Sequence, residues 1–410
     1  MNTSHEPEPG DPDAANPSTP APLGAPLADL RVIDLATVLA GPSAARYLAD
    51  FGADVIKVER PDGGDTTRAM GWRDPDDGVT MFWKLAGRNK RTIALDLKAD
   101  EERDVFLRLC DSADVLVENF RPGTLERLGL GPDVLLARNP KLVILRVTGF
   151  GQDGPYKDRP GFASIAEAMS GLVAISGEPD GNPLLPPIAL TDEVTGVVGA
   201  FAAMVALHSG VGQVVDVSLF ESLFQLMGPL VTAWLKLGYL QPRMGAEIPY
   251  SVPRNTYRCA DGAWVGISST AESVARRVMA IIGLDGDDRF ATFTGRVAHR
   301  EIIDERLGAW IAARPMAEVI ATFNDAQAAI APVMTMQDLA SDEHVLARQM
   351  IADVDGYPMQ GLIARLSATP GRVRWVGRDL DADRAEILAE LTPELDAGHG
   401  SGGVSSDGER

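Results

Sequence analysis

A strand, a helix and a second strand follow one another between residues 30 and 59, and no other stretch constrains the fold as strongly. Residues 30–35 (LRVIDL) and 54–59 (DVIKVE) are short runs dominated by aliphatic side chains. Between them Gly41-Pro42 marks a turn, and residues 43–51 follow as a helix with proline near its first turn. Strand, helix and strand at this spacing are the signature of a parallel sheet. Residues 92–97, 113–118, 142–147 and 213–218 repeat the strand pattern, with a helix expected over 99–112. The expected fold class is α/β, an open parallel sheet with helices on both faces.

The remaining segments surround this layer. Residues 1–27 are rich in Pro, acidic residues, Ser and Ala, with little to bury, and read as a disordered extension. The first part of the large domain is expected over 28–225, and it includes a helix at 164–170 whose Glu167 reads either as a second polar group near the site or, with slight preference, as a surface helical acid. A small-residue helix is expected over 197–209 and one amphipathic helix over 219–240, so 226–250 serve as linker helix and loop. A hairpin about Asp261-Gly262, with helices at 273–282, 301–313 and 316–323, makes a smaller α+β domain at 251–335. A helix at 336–350, an alternating stretch at 351–366 and a helix at 381–391 return the chain to the large domain over 336–392. Residues 393–410 read as a flexible tail.

At 410 residues and 45% hydrophobic, the chain can bury two cores. Its net charge of −20 argues against a general nucleic-acid or membrane-surface binder. Cys110 and Cys259 are the only cysteines, and five scattered histidines lack ligand spacing, so neither a disulfide framework nor a metal site is expected. No secretory signal and no spanning apolar run stand out, and a cytoplasmic location is expected. The sequence GFGQDG at 149–154 matches GxGxxG, but Pro155 and Pro160 block the helix that dinucleotide binding requires.

One carboxylate draws attention. In the run PPIALTDEVTG at 186–196, Asp192 sits where an extended segment turns into a helix. There the helix dipole and free N–H groups would keep it ionised and oriented. Capping is the common role of such a residue, and nucleophilic attack is the other.

Six ordered motifs decide between these roles by resemblance. They are VLAGP at 38–42, VIKVER at 55–60, NKR at 89–91, LDLK at 95–98, VENFRPG at 117–123 and GQVVDVSLF at 212–220. Together they resemble the class III CoA-transferase family of the CaiB/BaiF type, which includes formyl-CoA and carnitine CoA-transferases and the 2-methylacyl-CoA racemases. The similarity runs from about Leu30 to Leu391. It implies an interlocked homodimer whose Rossmann-like large domain is built from both chain ends, with the small domain between. It implies an enzyme that moves CoA from an acyl-CoA to a small carboxylic acid, with CoA as substrate and no tightly bound cofactor or metal. Asp192 falls on the catalytic aspartate, which forms a mixed anhydride and then an aspartyl-CoA thioester.

By the same resemblance CoA is held by Thr37, Val38, Leu39, Ala40, Arg60, Leu95, Lys98, Asn119, Phe120 and Arg127, with Phe162 at an aromatic position of the site. Between Lys57 and Lys98 nine basic residues face seven acidic ones, a local excess of positive charge suited to phosphates. The racemases' catalytic His is replaced by Phe162 and the following Asp by Ala163, which disfavours two-base epimerisation. Leu39 replaces a Gln of formyl-CoA transferase and so implies a less polar acyl group. That enzyme's glycine-rich flap is also missing from 247–255. An acyl-CoA racemase and a non-catalytic CoA-binding subunit remain the alternatives.

Overall fold

The computed structural model describes residues 24–391; the first 23 residues and the end beyond 391, including the tail expected at 393–410, lie outside it. Six strands form one parallel sheet: β1 (Arg31–Asp34), β2 (Asp54–Glu59), β3 (Lys90–Ala94), β4 (Val115–Glu118), β5 (Val143–Thr148) and β6 (Gln213–Ser218). Their order is β3-β2-β1-β4-β5-β6, the doubly wound order that places a crevice where the winding reverses between β1 and β4. Val32 pairs with Val55 on one side and Val115 on the other, which sets the register of the centre.

Alternation along each strand splits the core into two layers. Val32, Val55, Val117 and Leu145 face the helices Ala40–Asp50 and Leu190–Ser209. Ile33, Ile56, Ile93 and Ile144 face the opposite way, towards Phe106 and Leu109 of the helix Asp100–Asp111 and Ile387 of the helix Arg384–Glu390. Burial on both faces explains why these strands read as continuous apolar runs. A third core is built on the antiparallel strands β7 (Arg254–Arg258), β8 (Trp264–Ser268) and β9 (Ile330–Pro332), packed by the helices Glu272–Ile281, Arg300–Ala312 and Met316–Asp325. A hairpin of β10 (Ile351–Val354) and β11 (Tyr357–Gln360) accounts for only the first part of the alternating stretch at 351–366.

Several expected elements differ. The 219–240 segment is two helices, Leu219–Leu226 and Leu230–Leu237, because Gly228 adopts φ +56° and Pro229 follows. The 336–350 helix is likewise split into Met336–Ser341 and Glu343–Ala347, and the Asp342 side chain caps the second by accepting from the Val345 N–H at 2.9 Å. The strand expected at 92–97 is β3, shifted towards Lys90. The helix expected from residue 197 begins at Leu190, and at a mean hydropathy of 1.5 it is long and apolar enough to cross a bilayer, contrary to the expectation of no spanning run. Its small residues instead pack against the first helix.

Candidate active site

The start of the helix Leu190–Ser209 is fixed by backbone contact. A Cβ on Gly196 would lie 2.7 Å from the Ser43 Cβ and 3.3 Å from the Ala40 carbonyl, and one on Gly199 would lie 3.2 Å from Leu145 Cδ2. At Gly196 only glycine permits this approach, Gly199 fits closely against Ala44 and Leu145, and together they seat the helix on residues 40–44 and on β5.

Asp192 is the third residue of the helix. Ala189, without a side-chain cap, occupies the N-cap position, so Asp192 does not cap the helix. No hydrogen bond to its carboxylate is present among the described residues, and no basic side chain pairs with it. Burial, then the adjacent Glu193, then Glu167 push its carboxyl up to about 6. The expectation that the helix terminus alone sets its ionisation is therefore corrected: burial and two neighbouring acids work against the dipole.

Those two acids are held differently. Glu193 accepts from Ser43 Oγ at 3.0 Å, Arg46 Nη2 at 2.8 Å and Tyr47 OH at 2.8 Å. Ser43, Arg46 and Tyr47 stand three and four residues apart, on one face of the helix Ala40–Asp50. Burial and the Glu193 charge push the Tyr47 phenol up to about 12. Glu167 was expected at the surface, yet it is 2% exposed. Its Oε1 accepts from Thr191 Oγ1 at 3.0 Å, and no ion pair reaches it among the described residues. Phe162 is the N-cap of the Glu167 helix, Ala163–Met169, and is 66% exposed.

At the C-terminal ends of β1 to β4 lies a cleft of about 360 Å³. It is lined by Thr37, Arg60, Leu95, Lys98 and Phe120 among the sequence-selected residues, together with Lys57, Asp65 and Leu128. Arg127 adjoins Leu128 and donates only to Thr124 Oγ1, at 2.8 Å. Arg60 donates to the Gly64 carbonyl at 3.0 Å, and Arg60, Lys98 and Arg127 take part in no ion pair among the described residues. The cleft lining balances Lys57, Arg60 and Lys98 against Glu59, Asp65 and Asp96, and the free charges of Arg60 and Lys98 are the ones that suit an anionic ligand.

Val38, Leu39, Ala40, Asn119 and Phe162 do not line this cleft. Asn119 spends its amide on Thr37, accepting from its N–H at 2.8 Å and donating to its carbonyl at 2.7 Å. Asn119 therefore clamps the loop. Val38 adopts φ +67°, and its N–H points to Asp65 Oδ1 at 3.3 Å. Leu39 and Ala40 are buried. Leu39 opens onto a neighbouring pocket of about 570 Å³ that is shared with Trp72, Phe82, Ile188 and Leu190.

Below the loop lies a buried ionic layer that sequence reasoning missed. Lys90 Nζ meets Asp34 Oδ2 at 2.7 Å and the Pro42 carbonyl at 2.7 Å. Lys57 Nζ lies 3.2 Å from Asp65 and 3.5 Å from Asp34, and bonds the Ala36 carbonyl. Burial pulls Lys57 down, but Asp34, Asp65 and Glu59 outweigh it and hold the ammonium above its ordinary value. Burial brings Lys90 down to about 8 despite Asp34. The signal in the sequence was a lysine inside each of two strands buried on both faces. At Gly149 and Gly161 the GxGxxG segment instead packs backbone on backbone, and no helix begins before Ala163.

A doubly wound sheet with a cleft at its switch point that carries unpaired Arg60 and Lys98, and a partly buried, unpartnered carboxylate on a neighbouring helix, define an α/β enzyme. The CoA-transferase family III model matches residues 27–384, and the chain belongs to that family. Succinyl-CoA–D-citramalate CoA-transferase of Chloroflexus aurantiacus is 40% identical over 378 residues, covering 89% of this chain and 94% of its own length. Succinate–glutarate CoA-transferase of Agrobacterium fabrum is 35% identical over 387 residues, with 89% and 96% covered. A crystal structure of a CaiB/BaiF family protein from Brucella suis superposes with a TM-score of 0.80 at 32% identity, over 90% of this chain and all of that one. The protein is thus a class III CoA-transferase in family and fold.

Proposed function

We propose that the chain transfers CoA from a dicarboxylic acyl-CoA, of the succinyl type, to a small carboxylic acid, with Asp192 as nucleophile. One observation supports this reading: Asp192 is a partly buried carboxylate, free of hydrogen bonds and of cations among the described residues, at the first turn of a helix fixed against the switch-point loop. A carboxylate with no partner to satisfy keeps its lone pairs for attack. It adds to the thioester carbonyl, the C–S bond breaks and CoA leaves as thiolate, giving a mixed anhydride. The thiolate then attacks the aspartyl carbonyl, the donor acid leaves as carboxylate, and an Asp192–CoA thioester remains. The acceptor carboxylate reverses both steps. Each intermediate needs a site that excludes water.

CoA is assigned to the cleft lined by Thr37, Arg60, Leu95, Lys98 and Phe120, with Arg127 and the loop residues Val38, Leu39 and Ala40 proposed to join it when CoA is bound. The relatives' names supply the dicarboxylic substrate class, and the apolar pocket at Leu39 fits the methylene part of such an acyl group. The protein is further proposed to act as a homodimer in the cytoplasm. Exposed Val197, Phe201 and Val205 on the Asp192 helix, with Trp234, Leu235 and Leu237 beyond it, form an apolar face that a second copy would cover. Both cysteines are free and buried, as a reducing compartment favours. Asp192→Asn should lower transfer from succinyl-CoA by at least about 1,000-fold while CoA still binds. Hydroxylamine trapping with acyl-CoA should label wild type at Asp192, and an active Asp192→Asn enzyme would end the assignment.

A further inference from the structure

We propose that Glu167 is a positioning residue for this reaction, acting through its bond to Thr191 and through a negative charge left unneutralised beside Asp192. The inference rests on Asp192 being the nucleophile.

The geometry sets Glu167 apart from other buried acids of the chain. Asp34, Asp50, Asp65, Glu59 and Glu118 each meet a Lys or Arg within 3.5 Å. Glu167 is as buried as they are, and its Oε1 receives only the Thr191 hydroxyl at 3.0 Å. Thr191 is itself fully buried and directly precedes the nucleophile on the helix. Burying a carboxylate without a cation is costly. A fold that retains one beside another acid invites a functional account.

Charged groups on the other packed elements are engaged elsewhere. On the helix Ala40–Asp50, Arg46 and Tyr47 bond Glu193, and Asp50 pairs with Arg88. Arg146 of β5 is shared between Glu118 and Glu126, and Asp216 of β6 accepts from the Gln152 N–H. Glu221 of the helix Leu219–Leu226 bonds Ser218. Only Glu193 and Glu167 act on Asp192, and Glu193 is already spent on three donors.

The charge has a chemical use. Acylation of Asp192 replaces its carboxylate with a neutral anhydride or thioester, so the repulsion from Glu167 is present in the resting site and relieved in both covalent intermediates. The resting carboxylate is thereby made more basic and acylation more favourable, while Thr191 fixes the helix turn that aims it.

Glu167→Gln keeps size and can still accept from Thr191, but removes the charge. The acid limb of kcat/KM should move down by about half a pH unit, kcat should fall about tenfold, and less enzyme should be trapped as the aspartyl-CoA thioester. A pH profile superimposable on wild type overturns the inference. Thr191→Val, which breaks the bond and keeps the charge, should lower kcat with the acid limb unmoved; a limb displaced as far as in Glu167→Gln overturns the role of charge. Should Glu167→Gln not fold, Glu167→Asp carries the test: a retained acid limb supports the proposal and a lowered one overturns it. Activity in Asp192→Asn would instead remove the nucleophile assignment beneath it.

Discussion

Two clusters of buried charge lie on either side of the first helix, and they are built on opposite rules. Beneath the switch-point loop, Asp34 and Asp65 are matched by Lys57 and Lys90, and the remaining donor capacity goes to the carbonyls of Ala36 and Pro42. At the start of the Leu190–Ser209 helix, neither Asp192 nor Glu167, which bonds the neighbouring Thr191, meets a cation among the described residues. A matched set holds backbone in place, and its net contribution to stability is small because desolvation offsets attraction. An unmatched set gives up stability and leaves a carboxylate available for chemistry. The contrast teaches that burial alone does not mark a functional charge; the absence of a partner does.

The comparison breaks most visibly on the matched side. Asp34→Ala leaves two buried ammonium groups with one fewer counter-charge, and should cost about 3–5 kcal/mol in urea unfolding. A loss under 1 kcal/mol would mean that the layer is wetter than its burial indicates.

On the unmatched side the sign reverses. The Asp192 carboxyl rises from 3.8 to about 6 on folding, so between those values the folded chain keeps a proton that the unfolded chain has released. Stability therefore falls as pH rises through that window. Asp192→Asn should stabilise the protein by about 1–3 kcal/mol at pH 8, the helix dipole offsetting part of the gain, with no difference below pH 4. Destabilisation at pH 8 would show that the carboxylate is satisfied after all. The same titration predicts that turnover falls as pH drops through about 6, readable in a kcat/KM profile.

Glu193 stands between the two rules, an acid of the active-site turn that is matched by Arg46. Glu193→Gln gives up charge-assisted bonds and should cost about 1 kcal/mol in thermal unfolding. It should also move the acid limb down, and by more than Glu167→Gln does, because the adjacent Glu193 charge acts more strongly on Asp192 than Glu167 does. A smaller displacement would reverse the ranking of the two acids.

The sheet was legible because its strands are buried on both faces and read as uninterrupted aliphatic runs, and the sequence motifs placed Thr37, Arg60, Leu95, Lys98 and Phe120 about one cleft. Helix limits were less legible. An apolar stripe continues through 219–240, and it concealed the break that Gly228 and Pro229 impose. Leu190 to Val194 sit before the small-residue run, so the helix start was placed seven residues late. Charge partnership was not legible at all. Lys57 and Lys90 look like ordinary alternation within a strand, and Glu167 like a solvated helix face, because Asp34, which meets both lysines, and Thr191, which meets Glu167, lie more than 20 positions away.

Gly196 and Gly199 carry a consequence for how such a protein can change over generations. Because the reactive helix is seated by main-chain contact with the 40–44 turn, its placement owes little to the identity of the side chains that surround the substrate. If Asp192 is the nucleophile and the pocket of Leu39, Trp72, Phe82 and Ile188 takes the acid, as proposed, those four can be exchanged to suit a new acid without moving the Asp192 carboxylate. A scaffold of this kind separates inheritance of the reaction from inheritance of its substrate, so that diversification proceeds by re-lining one wall while the glycine seat is kept.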